Sequence, residues 1–184
     1  MLLKNKKILV GVTGGIAVYK TCTLINMLIK EGAEVRVVIT NAAKQFVSPL
    51  TFQSLTNNHV YDDMWKPADN TIIEHISVSR WSDIIVISPI TANTISKLAH
   101  GMADNLLTTI VLASPPQIKV LIAPAMNVNM WENPLTQNNL KILQNISKFV
   151  LVDPRTGILA CRDEGKGKIA ESTDIFEEIL KIVK

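Results

Sequence analysis

The chain has 184 residues, 47% hydrophobic and 19% charged, with 19 Lys and Arg against 16 Asp and Glu. That length suits one domain able to bury roughly 70% of its unfolded surface, and the apolar content excludes intrinsic disorder. Every apolar run is interrupted before the ~20 residues of a membrane span, and scattered basic residues with 5% aromatics argue against a nucleic-acid-binding face.

The opening MLLKNKKILV passes from three lysines into a short strand-like run, without the long apolar stretch and cleavage site of a secretory leader. Lys7–Val12 is a buried strand, and Gly14 and Gly15 turn it into a helix over about Ile16–Lys30, which Gly32 closes. Glu34–Thr40, Asp83–Ser88, Lys119–Ala123 and Phe149–Val152 read as further strands. Between and after them, Pro49–Leu55, Asn93–Ala99, Asn105–Ala113, Pro134–Asn145 and Asp174–Val183 read as helices. Strands apolar throughout, alternating with helices, imply a mostly parallel sheet covered on both faces. Such sheets bind ligands at the carboxyl ends of their strands. Asp153–Glu171, rich in Gly and charge and without periodicity, reads as a mobile flap.

The segment VGVTGGIAVYKT matches neither standard nucleotide motif. A phosphate-binding P-loop needs a glycine where Tyr19 precedes Lys20, and the dinucleotide pattern needs one where Thr13 stands. The second strand ends in Thr40-Asn41, with no acidic residue for an adenosine ribose. A glycine turn opening a helix still offers backbone N–H groups and a dipole to one phosphate, and serves equally as a plain strand-to-helix connection. Ser88-Pro89-Ile90-Thr91-Ala92-Asn93-Thr94 places hydroxyls and an amide at the next strand end, where Thr91 or Asn93 also suits a helix cap. Two polar loops at adjacent strand ends make a mononucleotide cradle, and phosphate binding without an adenosine partner suggests flavin mononucleotide (FMN).

Three segments carry residues suited to chemistry. His75 precedes the Trp81 segment and is one of three histidines with His59 and His100. PAMNVNMW follows the fourth strand, its amides available to a carboxylate or ring edge, its Met126, Met130 and Trp131 suited to the core. Cys161 lies in the flap beside Arg162, Lys166 and Lys168, which favour its thiolate, whereas Cys22 sits at an apolar helix position. Two cysteines make no disulfide framework and fit no zinc spacing, so no metal site is expected and the chain is read as cytoplasmic.

GVTGGIAVYK, the histidine before an aromatic, SPITANT, PAMNVNMW and ACRDEGKGK, in this order and at these intervals, resemble the homo-oligomeric flavin-containing cysteine decarboxylase family, in particular its phosphopantothenoylcysteine decarboxylases. The resemblance runs from about Lys6 to Lys184. It implies one FMN-binding domain over 1–184, a Rossmann-like (flavodoxin-like) three-layer α/β sandwich with a mostly parallel sheet and a flexible substrate-clamp loop at about 153–171. It implies decarboxylation of 4′-phospho-N-pantothenoylcysteine to 4′-phosphopantetheine in coenzyme A biosynthesis. His75 then matches the catalytic base, Asn127 the group holding the substrate carboxylate, and Cys161 the acid that returns a proton. The flavin would be held by Gly14, Gly15, Ile16, Ala17, Thr40, Ser88, Thr91, Ala92, Asn93, Thr94 and Ala125, and the substrate by Asn127, Met130 and Lys168. The family assembles as trimers or dodecamers, and many bacterial members continue into a phosphopantothenate–cysteine ligase, so a separate or fused ligase is an expected partner.

Two positions depart from the family pattern. Arg162 stands where glycine is usual, which alters flap closure if that residue needs positive φ. Lys168 stands where arginine is usual and loses bidentate geometry. Alternatives within the resemblance are a decarboxylase of peptide C-terminal cysteines, whose members lack the cysteine flap, and a non-catalytic FMN-binding regulator, which usually brings long acidic tails.

Overall fold

The computed structural model describes residues 1–65 and 74–183; Lys184, the last residue of the predicted domain, lies outside them. The first half runs β1 (Lys7–Val12), α1 (Val18–Lys30), β2 (Glu34–Ile39), α2 (Pro49–Thr56), β3 (Val60–Tyr61), α3 (Glu74–Trp81) and β4 (Ile84–Ile90). The second runs α4 (Ala92–Ala99), α5 (Leu106–Ala113), β5 (Lys119–Pro124), α6 (Val128–Glu132), α7 (Pro134–Gln144), β6 (Phe149–Leu151), a hairpin of β7 (Arg155–Ile158) and β8 (Glu164–Lys168), and α8 (Ser172–Val183).

The main sheet has the order β3-β2-β1-β4-β5-β6 and is parallel throughout. The period-two alternation of β1 explains its burial on both sides. Ile8, Val10 and Val12 join one core with α1, Phe52 of α2 and Ile175 and Ile179 of α8. Leu9 joins the other with Val78 of α3, Ile95 of α4, Ile110 of α5 and Leu140 of α7. Two apolar layers on a sheet apolar on both faces give the three-layer sandwich expected from sequence.

The chain reverses its direction of winding between β1 and β4, so their carboxyl ends bound a crevice. Thr13 ties its two lips together. Its side chain is buried; Oγ1 donates to Pro89 O at 2.9 Å and accepts from Thr91 N at 3.0 Å. Thr21 of α1 adds a buried bond from Oγ1 to Ser88 O at 2.7 Å. β4 runs two residues beyond its predicted end, so Ser88 lies inside a fully buried strand rather than at its end.

The flap is not irregular. Its strands β7 and β8 pair antiparallel, and Gly157, Gly165 and Gly167 are what disguised them, because glycine weakens a strand reading. Gly167 has φ 143°, and a Cβ there would collide with Met126 O. That contact lets Met126 N donate to Gly167 O at 3.1 Å, which docks the hairpin on the segment after β5. Lys166 pairs with Asp153 at 3.2 Å and lies 5.5 Å from the Trp131 ring centroid. Arg162, at the tip, adopts φ 70°, so the flap keeps its turn with an arginine in glycine's conformation. That conformation costs a non-glycine residue roughly 1–2 kcal/mol.

Two outcomes follow from these contacts. Thr13→Val removes the hydroxyl that bridges Pro89 and Thr91 and should cost about 1–3 kcal/mol in urea unfolding, with Thr13→Ser recovering most of it. Arg162→Gly should slow amide exchange across the Thr156–Lys166 pair about fivefold, the equivalent of about 1 kcal/mol, while Gly167→Ala should accelerate it by undocking the hairpin.

Candidate active site

A cavity of about 590 Å³ lies between the N-terminus of α1, the segment after β5, and the hairpin. Its wall gathers residues from three distant parts of the sequence: Gly15, Ile16, Ala17 and Lys20; Ala125, Met126 and Asn127; and Cys161 and Lys168.

The α1 end is chemically distinct. Helices α2, α4, α5, α6 and α7 begin with a side-chain cap, from Ser48, Thr91, Asn105, Asn127 and Asn133 respectively. At α1 the cap position is Ala17, with no side-chain cap bond. A Cβ on Gly15 would meet nothing within 4 Å. Backbone donors at a helix N-terminus, facing open space and without a competing cap, form a donor set that fits a phosphate. Gly14 serves packing instead, since a Cβ there would meet Ala42 Cβ at 2.7 Å.

Asn127 does two jobs. Its Oδ1 caps α6 by accepting from Met130 N at 2.8 Å. This bond fixes which end of the amide faces the helix and leaves Nδ2, with no acceptor among the described residues, as a donor at the cavity wall. Sequence reading left the amides of this segment available; the structure folds it into a short helix that commits one end of one amide. Met130 is on α6 and 46% exposed, outside the cavity lining, whereas Trp131 is buried.

Cys161 is exposed at the cavity wall, and its thiol donates to Asp163 Oδ2 at 3.3 Å. Lys166 is drawn to Asp153 rather than to the sulfur. Lys168 lines the cavity and makes no ion pair among the described residues. Lys20, which the sequence reading did not single out, lines it too and pairs with Glu171 at 3.2 Å. The signal for Lys20 was its place one turn into the helix that the glycines open. Burial pushes the Cys22 thiol above its ordinary range, in keeping with its apolar position on the helix.

The other predicted residues lie nearby or elsewhere. Thr40 closes β2, where its Oγ1 accepts from Ala43 N at 3.3 Å. Thr91 caps α4 through Thr94 N, Thr94 is buried, Ala92 half-buried and Asn93 exposed. These form the β4 lip of the crevice, outside the lining of the cavity. His75 is half-buried on α3, which packs beside α5, and it is not part of this chain's cavity wall. Among the described residues no group of three or more His, Cys, Asp or Glu could hold a metal, and no helix is long and apolar enough to cross a membrane.

Known proteins share this architecture. A structure of a cysteine-to-serine mutant of PPC decarboxylase complexed with pantothenoylaminoethenethiol superposes with a TM-score of 0.83 at 32% identity, over 96% of this chain and 97% of that one. The FMN-dependent cysteine decarboxylase SpaF gives 0.81 at 28% identity, over 97% and 99%. A probable phosphopantothenoylcysteine decarboxylase of Streptococcus mutans is 43% identical over 95% of this chain and 97% of its own length. The coenzyme A biosynthesis bifunctional protein CoaBC of Bacillus subtilis is 44% identical over 96% of this chain, which spans 43% of that protein's length. Residues 2–184 match the family described as Flavoprotein, and to that family the chain belongs.

Proposed function

We propose that the chain is an FMN-dependent carboxy-lyase that converts 4′-phospho-N-pantothenoylcysteine to 4′-phosphopantetheine, a cytoplasmic step of coenzyme A biosynthesis, with 1–184 as one flavin-binding domain and the hairpin as its substrate clamp. The observation that carries this reading is the single cavity joining an uncapped helix N-terminus, the Asn127 amide and the Cys161 thiol. The relatives support the substrate, and the cysteine hairpin favours it over a peptide.

Each side chain has a task in that reaction. A cysteine carboxylate resists losing CO₂ because the carbanion has nowhere to place its charge. When bound, FMN supplies a reversible hydride sink, which turns the cysteine side into a thioaldehyde and later restores the saturated product. Backbone N–H groups of Gly15, Ile16 and Ala17 would hold the phosphate end of the cofactor. Asn127 Nδ2 donates to the departing carboxylate and orients it, and His75 takes the proton of the substrate thiol. Cys161 gives its proton to the carbon of the ene-thiolate that has just lost CO₂. Lys168 and the hairpin cover the site and hold the anionic substrate, which keeps water from the intermediate.

His75 lies off the cavity wall of its own chain, and the reading therefore assigns it to the site of a neighbouring chain in a trimer-based homo-oligomer. Trp81 packs within the chain under Arg36, 4.2 Å from the guanidinium, and is half-buried. Trp65 stays 82% exposed and suits an interface.

The purified protein should be yellow, and acid-released cofactor should chromatograph as FMN; recovery of FAD would count against the reading. Incubated with phosphopantothenoylcysteine, it should release CO₂ and form phosphopantetheine. Cys161→Ser should instead accumulate a product lighter by one H₂, because a serine hydroxyl is too weak an acid to complete the reduction. Mixed oligomers of His75→Asn and Asn127→Asp chains should regain partial activity, and mixtures that stay inactive would exclude a shared site.

A further inference from the structure

The tip of the hairpin holds a second ionisable side chain with no assigned role. Leu159 N donates to Asp163 O at 2.9 Å and Arg162 N to Leu159 O at 2.9 Å, so the turn is closed by main chain alone. The Asp163 carboxylate is not needed for it. Nor is it neutralised: Lys166 pairs with Asp153, Arg155 makes a two-point pair with Asp174, and Asp163 has no ion pair among the described residues. The partner of its Oδ2 is the Cys161 thiol, 3.3 Å away. A thiol hydrogen bond to a carboxylate exists only while the sulfur keeps its proton.

We propose that Asp163 is a positioning residue for Cys161, holding the sulfur at the cavity wall as a loaded proton donor. The inference rests on the decarboxylase reading for what the proton does. In turnover the Cys161 S–H bond would break and a C–H bond form at the ene-thiolate carbon that lost CO₂, the two-electron reduction of the adjacent carbon being the chemistry that bound FMN would supply. A thiolate then faces the Asp163 carboxylate at hydrogen-bond distance. Like charges so close repel, which drives the sulfur to take a proton from water and restores the S–H to O contact. A purely structural role would be met equally by asparagine, which keeps the shape and the main-chain bonds of the turn.

The test uses the flavin-loaded protein in a Cys22→Ala background, so that Cys161 is the only thiol. Without substrate, alkylation of Cys161 by iodoacetamide at pH 7 should be roughly five- to tenfold faster in Asp163→Asn than in the parent, the size of one unit charge removed at this distance in water. With substrate, the ratio of released ene-thiol to phosphopantetheine, read by mass, should rise in Asp163→Asn and return toward the parent in Asp163→Glu. An unchanged alkylation rate in Asp163→Asn overturns the inference whether or not the enzyme turns over. A parent protein that releases no CO₂ overturns the decarboxylase reading instead, since the alkylation measurement uses no substrate.

Discussion

The bridge that Thr13 makes between the ends of β1 and β4 is the constraint on which the rest of the site depends. A parallel sheet leaves the chain at the carboxyl end of each strand with main-chain groups that no neighbouring strand satisfies. At a switch point two such ends lie side by side and diverge, so beyond one main-chain bond, Thr13 N to Pro89 O at 3.3 Å, a further tie must fix their separation. Thr13 does so with one buried hydroxyl that donates to Pro89 and accepts from Thr91. The register of the glycine turn against the β4 lip, and hence the direction in which α1 presents its free N–H groups, is set there.

The opposite wall is built on a different principle, close approach of main chain to main chain. Gly167 admits the Met126 carbonyl where any side chain would collide, and the Met126 N–H closes the contact. The charged pairs around it, Lys166 with Asp153 and Arg155 with Asp174, are exposed and contribute little to stability alone. They act as guides that keep a glycine-rich ribbon in one orientation. A second tie comes from Lys20 of α1 to Glu171 at the foot of the ribbon, and Ser172 Oγ donates to Lys20 O at 3.3 Å. Helix α1 and the hairpin are thereby joined at their bases while the tip remains exposed.

The sheet was legible in the sequence because parallel strands buried on both faces leave uninterrupted apolar runs, as in KILVGV and DIIVIS. Helices with a clear apolar stripe were legible within one or two residues at their ends. The misses have physical causes. β3 is two residues long, too short for any period. EHISVSRW of α3 carries polar residues on most of its surface and is helical because it packs on α5, a tertiary effect that propensity does not contain. α6 is a single short helix whose signal was its cap, Asn127, rather than its pattern. The hairpin was hidden by the glycines that allow it to dock. At the site, Gly15, Asn127, Cys161 and Lys168 were picked by residue type and do meet at one cavity. Ser88 and Thr91 were picked for their hydroxyls and Thr40 came from the resemblance; Thr40 and Thr91 serve local caps and turns, and Ser88 lies buried in β4.

The double duty of Asn127 leaves little freedom at that position. Aspartate, with two acceptor oxygens, would start the helix and then repel an anion. Glutamine would carry the same amide on a longer arm, too long to reach back to its own helix. A serine hydroxyl would have to accept and donate from one atom, and so could not span the gap between the helix and a ligand. The short amide puts an acceptor and a donor at opposite edges of one rigid plane, close enough to the backbone for the acceptor to cap the helix. One letter of the alphabet is thus selected by the backbone, and under the proposed function by the bound molecule as well.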